Sequence, residues 1–504
     1  MHIPRSRALG AVSLTAAAVL LLSGCTGAAG TASGDDTKLT LGTTTDINGW
    51  SPLDQPQFQN WAIDAVYSPL VQCDKFGKAE PGIADTFEIS PDNTVFTAHI
   101  REGATFSDGS PVDAQAIVDN FELAGTAGGS IDIFKDVVAE ATDEQNVTVT
   151  WPEPQPIMGE RICNMNIGGS DYIASGDLDS APVGYGPYFL DADASTPGAT
   201  YVFTKNADFW DADTYPYETL ELRVLESETA GVNALKTGQI DGTLVSTTAR
   251  AEVEAAGLEI QTMSAQTTRL MLSDYLGTRI PALASLDVRR AMNMVFDKEA
   301  IAENLYGGYA TPAVQMFRPG SDAYIDDLED PYPYDVEAAQ ALMEGSGFAD
   351  GFTVTLPYMA GDNLAQVIPY VKQQLALLNI TVEEQTLSGP DAIQSLLNDF
   401  PVVLWNLGNS GDSVSDIDTA VMKDGFWNLS HHEDPVTNAL WQTILTGSGE
   451  ERVEAQQEIN RYIIDQAWFA PLVNPETFFG HSDKVTIDEV TDNQGLYPLL
   501  RDFS

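Results

Sequence analysis

Two β-branched runs, FTVTLPYM at 352–359 and ITVEEQTL at 380–387, flank a segment at 363–378 that reads as a helix. A strand, a helix and a strand in that order cannot close as a hairpin. The two strands must run parallel, joined by a right-handed crossover. This one unit excludes an all-helical or all-β chain and points to a mixed α/β protein with several sheets. The chain has 504 residues, 43% of them hydrophobic. That is enough for about three domains with sizeable cores.

The rest of the chain alternates in the same way. FEIS, then Pro91-Asp92-Asn93, then TVFTAHI reads as two strands around a turn. In REGATFSDGSPVDAQAIVDNF, Asp108-Gly109 signals a turn, Ser110 is placed to cap a helix with Pro111 at its first position, and Asp113 completes a capping-box-like pattern. Ala114, Ile117, Val118 and Phe121 then fall on one helical face. ETAGVNALKTGQIDGTLV predicts a helix, a stop at Gly238 and a short strand. DVRRAMNMVF places Val288, Ala291, Met292, Val295 and Phe296 on one face, and Asp297 caps the next helix, KEAIAENLY.

The N-terminus reads as an export signal. Arg5 and Arg7 precede an apolar run at 8–22, and no acidic residue occurs before Asp35. The run is short for a bilayer span, which needs about 20 residues. It ends LLSGC, which resembles a bacterial lipobox with Cys25 as the lipidated residue. Residues 25–37 are small and polar, a tether reaching roughly 20 Å. Two further cysteines, Cys73 and Cys163, remain in an exported chain and are expected to form a disulfide, with two unrelated thiols as the alternative. There are 24 basic and 74 acidic residues, a net charge of −50. Such a chain repels nucleic acid and anionic lipid, and its acidity is read as a solvated surface.

Catalytic signatures fail on inspection. No serine is flanked by the glycines of a nucleophile elbow, and no phosphate-binding loop occurs. GYGPYF has Phe189 where a dinucleotide fingerprint needs its third glycine. His431 and His432 are adjacent and poorly spaced for one metal, and His99 lies in a strand. The acidic run at 324–335 lacks calcium-loop spacing. No catalytic residue, metal or cofactor is expected. Chance carboxylate pairs are common in so acidic a chain, and none is singled out as a hydrolase dyad.

Several segments taken in order resemble the family 5 extracellular solute-binding lipoproteins of bacterial ABC importers, which bind oligopeptides, dipeptides and nickel. They are FTAHIREGATFSDGSPVDAQAIVDNF, VGYGPYFL with YVFTKNADFW, ALKTGQIDG, LDVRRAMNMVFDKEAI and YPYDVEAAQALMEGSGF. Each is weak alone, but their joint order spans residues 38–504. The resemblance implies an α/β, two-lobed periplasmic-binding-protein-like fold (type II, venus-flytrap) with an extra inserted domain. Lobe I would comprise 38–54, 180–268 and 472–504. The inserted domain would be 55–179 and the other lobe 269–471, with hinge crossings near 268 and 472. It further implies a monomeric receptor for a small solute, a peptide above all. Closure on the solute would precede delivery to ABC permease subunits, with the receptor held to the outer face of the cytoplasmic membrane by its lipid anchor. A non-peptide solute such as an oligosaccharide or metal chelate, or a surface sensor or adhesin on the same fold, is the alternative; a secreted hydrolase is the least supported.

SDGSPV and GYGPY read as turn and cap chemistry and not as ligand contacts. Binding residues are expected in inter-lobe loops: Asn48 and Trp50, Tyr185, Asp274 and Tyr275, then Trp405, Asn406 and Asn409 in PVVLWNLGNSGD. Aromatics supply flat walls, and asparagines supply donors and acceptors for amides. Peptide binders resembling this chain carry an Asp three residues after the Trp, where it holds the peptide's ammonium group. Here Gly408 occupies that position and Asp412 is the nearest carboxylate. Either Asp412 substitutes, or the solute lacks a free amino terminus at this point.

Overall fold

The computed structural model describes residues 37–504 apart from 48, 54–59, 76, 128–133, 156–157, 164, 179–180, 265, 360–362, 389–391, 409–412 and 492–496. Cys25, Asn48, Asn409 and Asp412 lie outside the described residues.

The larger of two main sheets has seven strands. In spatial order they are Glu259–Met263, Thr477–His481, Gly242–Val245, Lys38–Thr43, Thr219–Val224, Thr200–Lys205 and Tyr188–Thr196. The central strand Lys38–Thr43 pairs in parallel with both of its neighbours, and the other pairings are antiparallel. Helix Glu228–Lys236 begins at Ser227, whose hydroxyl accepts the Ala230 N–H, and Gly238 ends the turn with φ 69°. Val232, Leu235, Val253 and Phe478 form an apolar cluster beside this sheet.

The chain between Thr43 and Tyr188 builds a four-stranded antiparallel sheet from Ala84–Ile89, Val95–Ile100, Asn146–Thr150 and Val138–Ala141, with helix Ala114–Ala127 against it. Asn93 makes the turn of the first hairpin at φ 53°. The capping expected at Ser110 falls three residues later. The Asp113 carboxylate accepts the Ala116 N–H at 2.9 Å. Ser110 instead donates to Asp108, and Pro111 bridges to Thr105. A carboxylate at the N-cap both accepts that N–H and meets the positive end of the helix, which favours the later start. Leu39, Leu41, Tyr67, Phe96, Ile117, Phe203 and Phe503 belong to one buried cluster. The inserted segment therefore shares a continuous core with the seven-stranded sheet. The Gly184–Gly186 turn joins them closely: a Cβ at Gly184 would lie 2.1 Å from the Val66 carbonyl, and one at Gly186 2.4 Å from that of Ala65. Cys73 and Cys163 are joined by a disulfide in this segment.

The second main sheet runs in the order Ala310–Pro312, Phe469–Pro475, Gln266–Leu272 and Val402–Gly408, all antiparallel. It carries buried clusters on both faces. Beside it, Thr353–Met359 and Thr381–Leu387 pair in parallel across helix Ile368–Ala376, as the strand–helix–strand reading requires. The Asp297 carboxylate accepts the Ala300 N–H and starts helix Lys298–Asn304.

The chain leaves the first sheet after Met263 and enters the second at Gln266; it returns between Pro475 and Thr477. A crossing near 472 would cut through the strand Phe469–Pro475, which belongs wholly to the second sheet. The crossings are tied by the Thr267 hydroxyl, which donates to Asn474 Oδ1 at 2.8 Å. Next to them, Arg250 stacks over the Tyr309 and Phe478 rings at 4.4 and 5.1 Å.

Candidate functional site

The strand pair Gln266–Leu272 and Val402–Gly408 fixes where the Trp405 loop emerges. Gln266 is opposite Gly408, and Leu272 is opposite Val402. Gly408 therefore lies at the end of the second sheet nearest the inter-sheet crossing.

Two neighbouring registers carry polar groups to opposite faces of the sheet, because successive side chains alternate. On one face, the Thr268 hydroxyl donates to Asn406 Oδ1 at 2.6 Å and lies 3.1 Å from the Tyr306 hydroxyl. On the other, Arg269 pairs with Trp405. Trp405 is half-buried and meets Trp427 at 5.8 Å between ring centroids. Phe426, exposed, stands edge-on to Trp427. Together they make an aromatic wall with both apolar faces and indole donors.

Arg269 is the electrostatic anomaly. It is 2% exposed, and its Nε and Nη1 have no acceptor among the described residues. Its guanidinium lies 5.4 Å from the Phe469 ring. Burial brings its pKa down to about 10, against the opposing attraction of Asp416. Two buried N–H groups without acceptors are free to donate charge-assisted hydrogen bonds to an incoming acceptor. The sequence did carry a signal for it: a single cation inside the apolar run TTRLML, in a chain with only 24 basic residues.

The other sequence candidates take packing roles. Trp50 is buried edge-on against Tyr201 and Phe203, and its carbonyl accepts the Tyr67 and Tyr172 hydroxyls. Tyr185 is buried against Phe209, and its hydroxyl donates to the Asp208 carbonyl at 3.3 Å. Asp274 and Tyr275 follow the far end of the strand, about 20 Å from the crossing by strand rise. The Asp274 carboxylate accepts the N–H groups of Thr278, Arg279 and Ile280 and the Thr278 hydroxyl, and so builds its own loop. Burial acts to raise its pKa, but these donors bring it below the usual carboxylate value. Tyr275 stacks on Trp468 at 4.6 Å and meets His432 edge-on. The structure thus brings together Trp405 and Asn406 with Thr268 and Arg269, and leaves Trp50, Tyr185, Asp274 and Tyr275 in the supporting structure.

Two sheets linked by paired chain crossings define a two-lobed α/β protein of the periplasmic-binding-protein fold. The sequence profile described as "Bacterial extracellular solute-binding proteins, family 5 Middle" matches residues 78–424, and the chain belongs to that family. It is a family of binding proteins and not of enzymes. The glutathione-binding protein GsiB of Escherichia coli (strain K12) is 26% identical over 329 residues, covering 63% of each chain. The chain thus spans about 63% of the length of the curated relatives it matches. Among solved structures, the ABC transporter substrate-binding protein CtaP of Listeria monocytogenes superposes with TM-score 0.78 at 22% identity, covering 92% of this chain and 98% of that one. DppA of Helicobacter pylori, in complex with the peptide STSA, gives TM-score 0.76 at 19% identity, covering 92% and 97%.

Proposed function

We propose that this protein is the extracellular receptor of an ATP-driven importer. It encloses a small, carboxylate-bearing solute of the peptide class between its two lobes and presents it to a membrane permease. The observation that carries the reading is the strand pair at the crossing. Trp405 offers an aromatic wall, Asn406, oriented by the Thr268 hydroxyl, offers an amide, and Arg269 offers unsatisfied N–H donors suited to a carboxylate. The lipobox supports attachment through Cys25 to the outer face of the cytoplasmic membrane. Relatives that bind glutathione and peptide support the solute class.

Gly408 favours a second form of this reading, in which the solute has no free ammonium group near Trp405. Glycine cannot replace an ion pair in a poorly solvated cleft. A thermal-shift screen decides between the two, because a solute specific to the folded state raises its melting temperature. It compares free and N-acetylated peptides of two to four residues, with glutathione alongside. Equal stabilisation by both forms supports the second reading. Stabilisation by free peptides alone supports an ammonium-binding carboxylate such as Asp412. No stabilisation by any member counts against the peptide class.

A further inference from the structure

Among the described residues, three hydrogen-bonded contacts join the inserted segment to the second lobe, away from the chain crossings. Arg161 Nη2 pairs with Asp418 Oδ2 at 3.1 Å. Arg318 Nη2 donates to the Lys75 carbonyl at 2.8 Å. Asn93 Nδ2 donates to the Leu445 carbonyl at 3.4 Å. Contacts between separate lobes exist over only a narrow range of hinge angles, so they belong to the closed arrangement.

The disulfide sits at the base of two of these contacts. Lys75 is two residues beyond Cys73, and Arg161 is two residues before Cys163. Strand Val71–Cys73 and helix Met158–Cys163 are thereby fixed to one another across 90 residues of sequence. Arg501 then fastens that strand to the C-terminal segment, donating to Gln72 Oε1 and to the Cys73 carbonyl at 2.9 Å each. On the other side, Asp418 lies on helix Ser413–Ala420, which also carries Asp416, the carboxylate that attracts Arg269. A pull on Asp418 is therefore a pull on the helix that faces Arg269.

We propose that Arg161–Asp418 and Arg318–Lys75 form a clasp, stapled by Cys73–Cys163, that sets how readily the lobes close and so sets affinity through residues that never touch the solute. These are positioning residues; the clasp rests on the two-lobed reading of the fold and on no particular solute. Its strength is modest, because both side chains are partly solvated, Arg161 at 19% and Asp418 at 36% exposure. A weak clasp biases the lobes without locking them, so the solute still decides the outcome.

The test is charge reversal, read on the purified protein without added solute. Arg161→Glu places two carboxylates face to face. It is expected to enlarge the radius of gyration in small-angle scattering relative to wild type. It should also speed hydrogen exchange in helices Met158–Cys163 and Ser413–Ala420 by about fivefold to tenfold. Arg161→Glu with Asp418→Lys should restore both readouts. The double variant Cys73→Ser with Cys163→Ser should open the protein in the same sense as Arg161→Glu. Wild-type scattering and exchange in Arg161→Glu, or failure of the reversed pair to restore them, overturns the clasp. An equal fall in melting temperature in Arg161→Glu and in the reversed pair assigns the residues to folding and also overturns it. Wild-type behaviour in the cysteine variant removes the staple. Because every readout is taken without solute, a wrong peptide assignment leaves these outcomes unchanged.

Discussion

Replacing Arg269 by methionine removes a buried charge while keeping side-chain length and most of the volume. In the empty protein the charge is costly: burial brings the guanidinium down to about 10, well below its ordinary value. That difference corresponds to about 3 kcal/mol. The folded value lies below the unfolded one, so the cost is present at every pH below about 10 and is relieved only as pH rises through the folded and then the unfolded value. Contact with the Phe469 ring offsets about 1 kcal/mol of it. The expectation is a solute-free variant more stable by about 2 kcal/mol. For a chain of this size that is about 2 °C in melting temperature. The bound state responds in the opposite direction. Losing charge-assisted hydrogen bonds worth about 1.5–3 kcal/mol weakens solute binding roughly 10- to 150-fold. Differential scanning fluorimetry and isothermal titration with the co-purifying solute measure both quantities. A companion variant, Arg269→Met with Asp416→Asn, separates loss of the guanidinium from its effect on the facing carboxylate. A destabilised single variant that binds with unchanged affinity refutes the assignment and makes Arg269 a structural cation.

Asp274→Asn is expected to cost about 2–4 kcal/mol near neutral pH, since its four donors lose a charged acceptor. The Asp274 carboxyl is depressed in the folded state, so its contribution is present above the unfolded value near 4 and fades as pH falls through the folded value. Urea titrations at pH 7 and pH 3 should show the gap between wild type and variant narrowing under acid; a constant gap contradicts the role. Gly184→Ala should prevent folding or lower the melting temperature by more than about 5 °C, because its Cβ would meet the Val66 carbonyl; circular dichroism on heating checks this. Cys25→Ala should move the protein from the membrane fraction to the soluble fraction on cell fractionation; retention in the membrane would count against lipidation at that residue.

Sequence legibility divided along a physical line. The parallel pair Thr353–Met359 and Thr381–Leu387 was readable because strand, helix and strand admit one connection. The hairpin at 84–100 was readable from its turn. Helix starts were less so: Ser110 and Asp113 both resemble caps, and which one acts depends on the bridge that holds Pro111 to Thr105. Aromatics were the least legible. Trp50 and Tyr185 follow loop-like residues as a ligand wall would, yet they turn inward, because sequence does not say which side of a turn faces the core. Trp405 and Asn406 were expected in a loop, but they lie inside strand Val402–Gly408, because the strand continues past the polar Asn406 to Gly408. Their partners Thr268 and Arg269 were missed, since strand pairing between residues more than 130 apart leaves no local signal.

The most direct test of the account is native mass spectrometry of the protein purified from cells grown in rich medium. The account predicts a bound species of a few hundred daltons carrying at least one carboxylate. It should be released on denaturation, absent from Arg269→Met, and recovered unchanged after prolonged incubation with the protein. A protein that is empty under these conditions and is stabilised by no peptide, or one that converts the bound molecule into products, would contradict it.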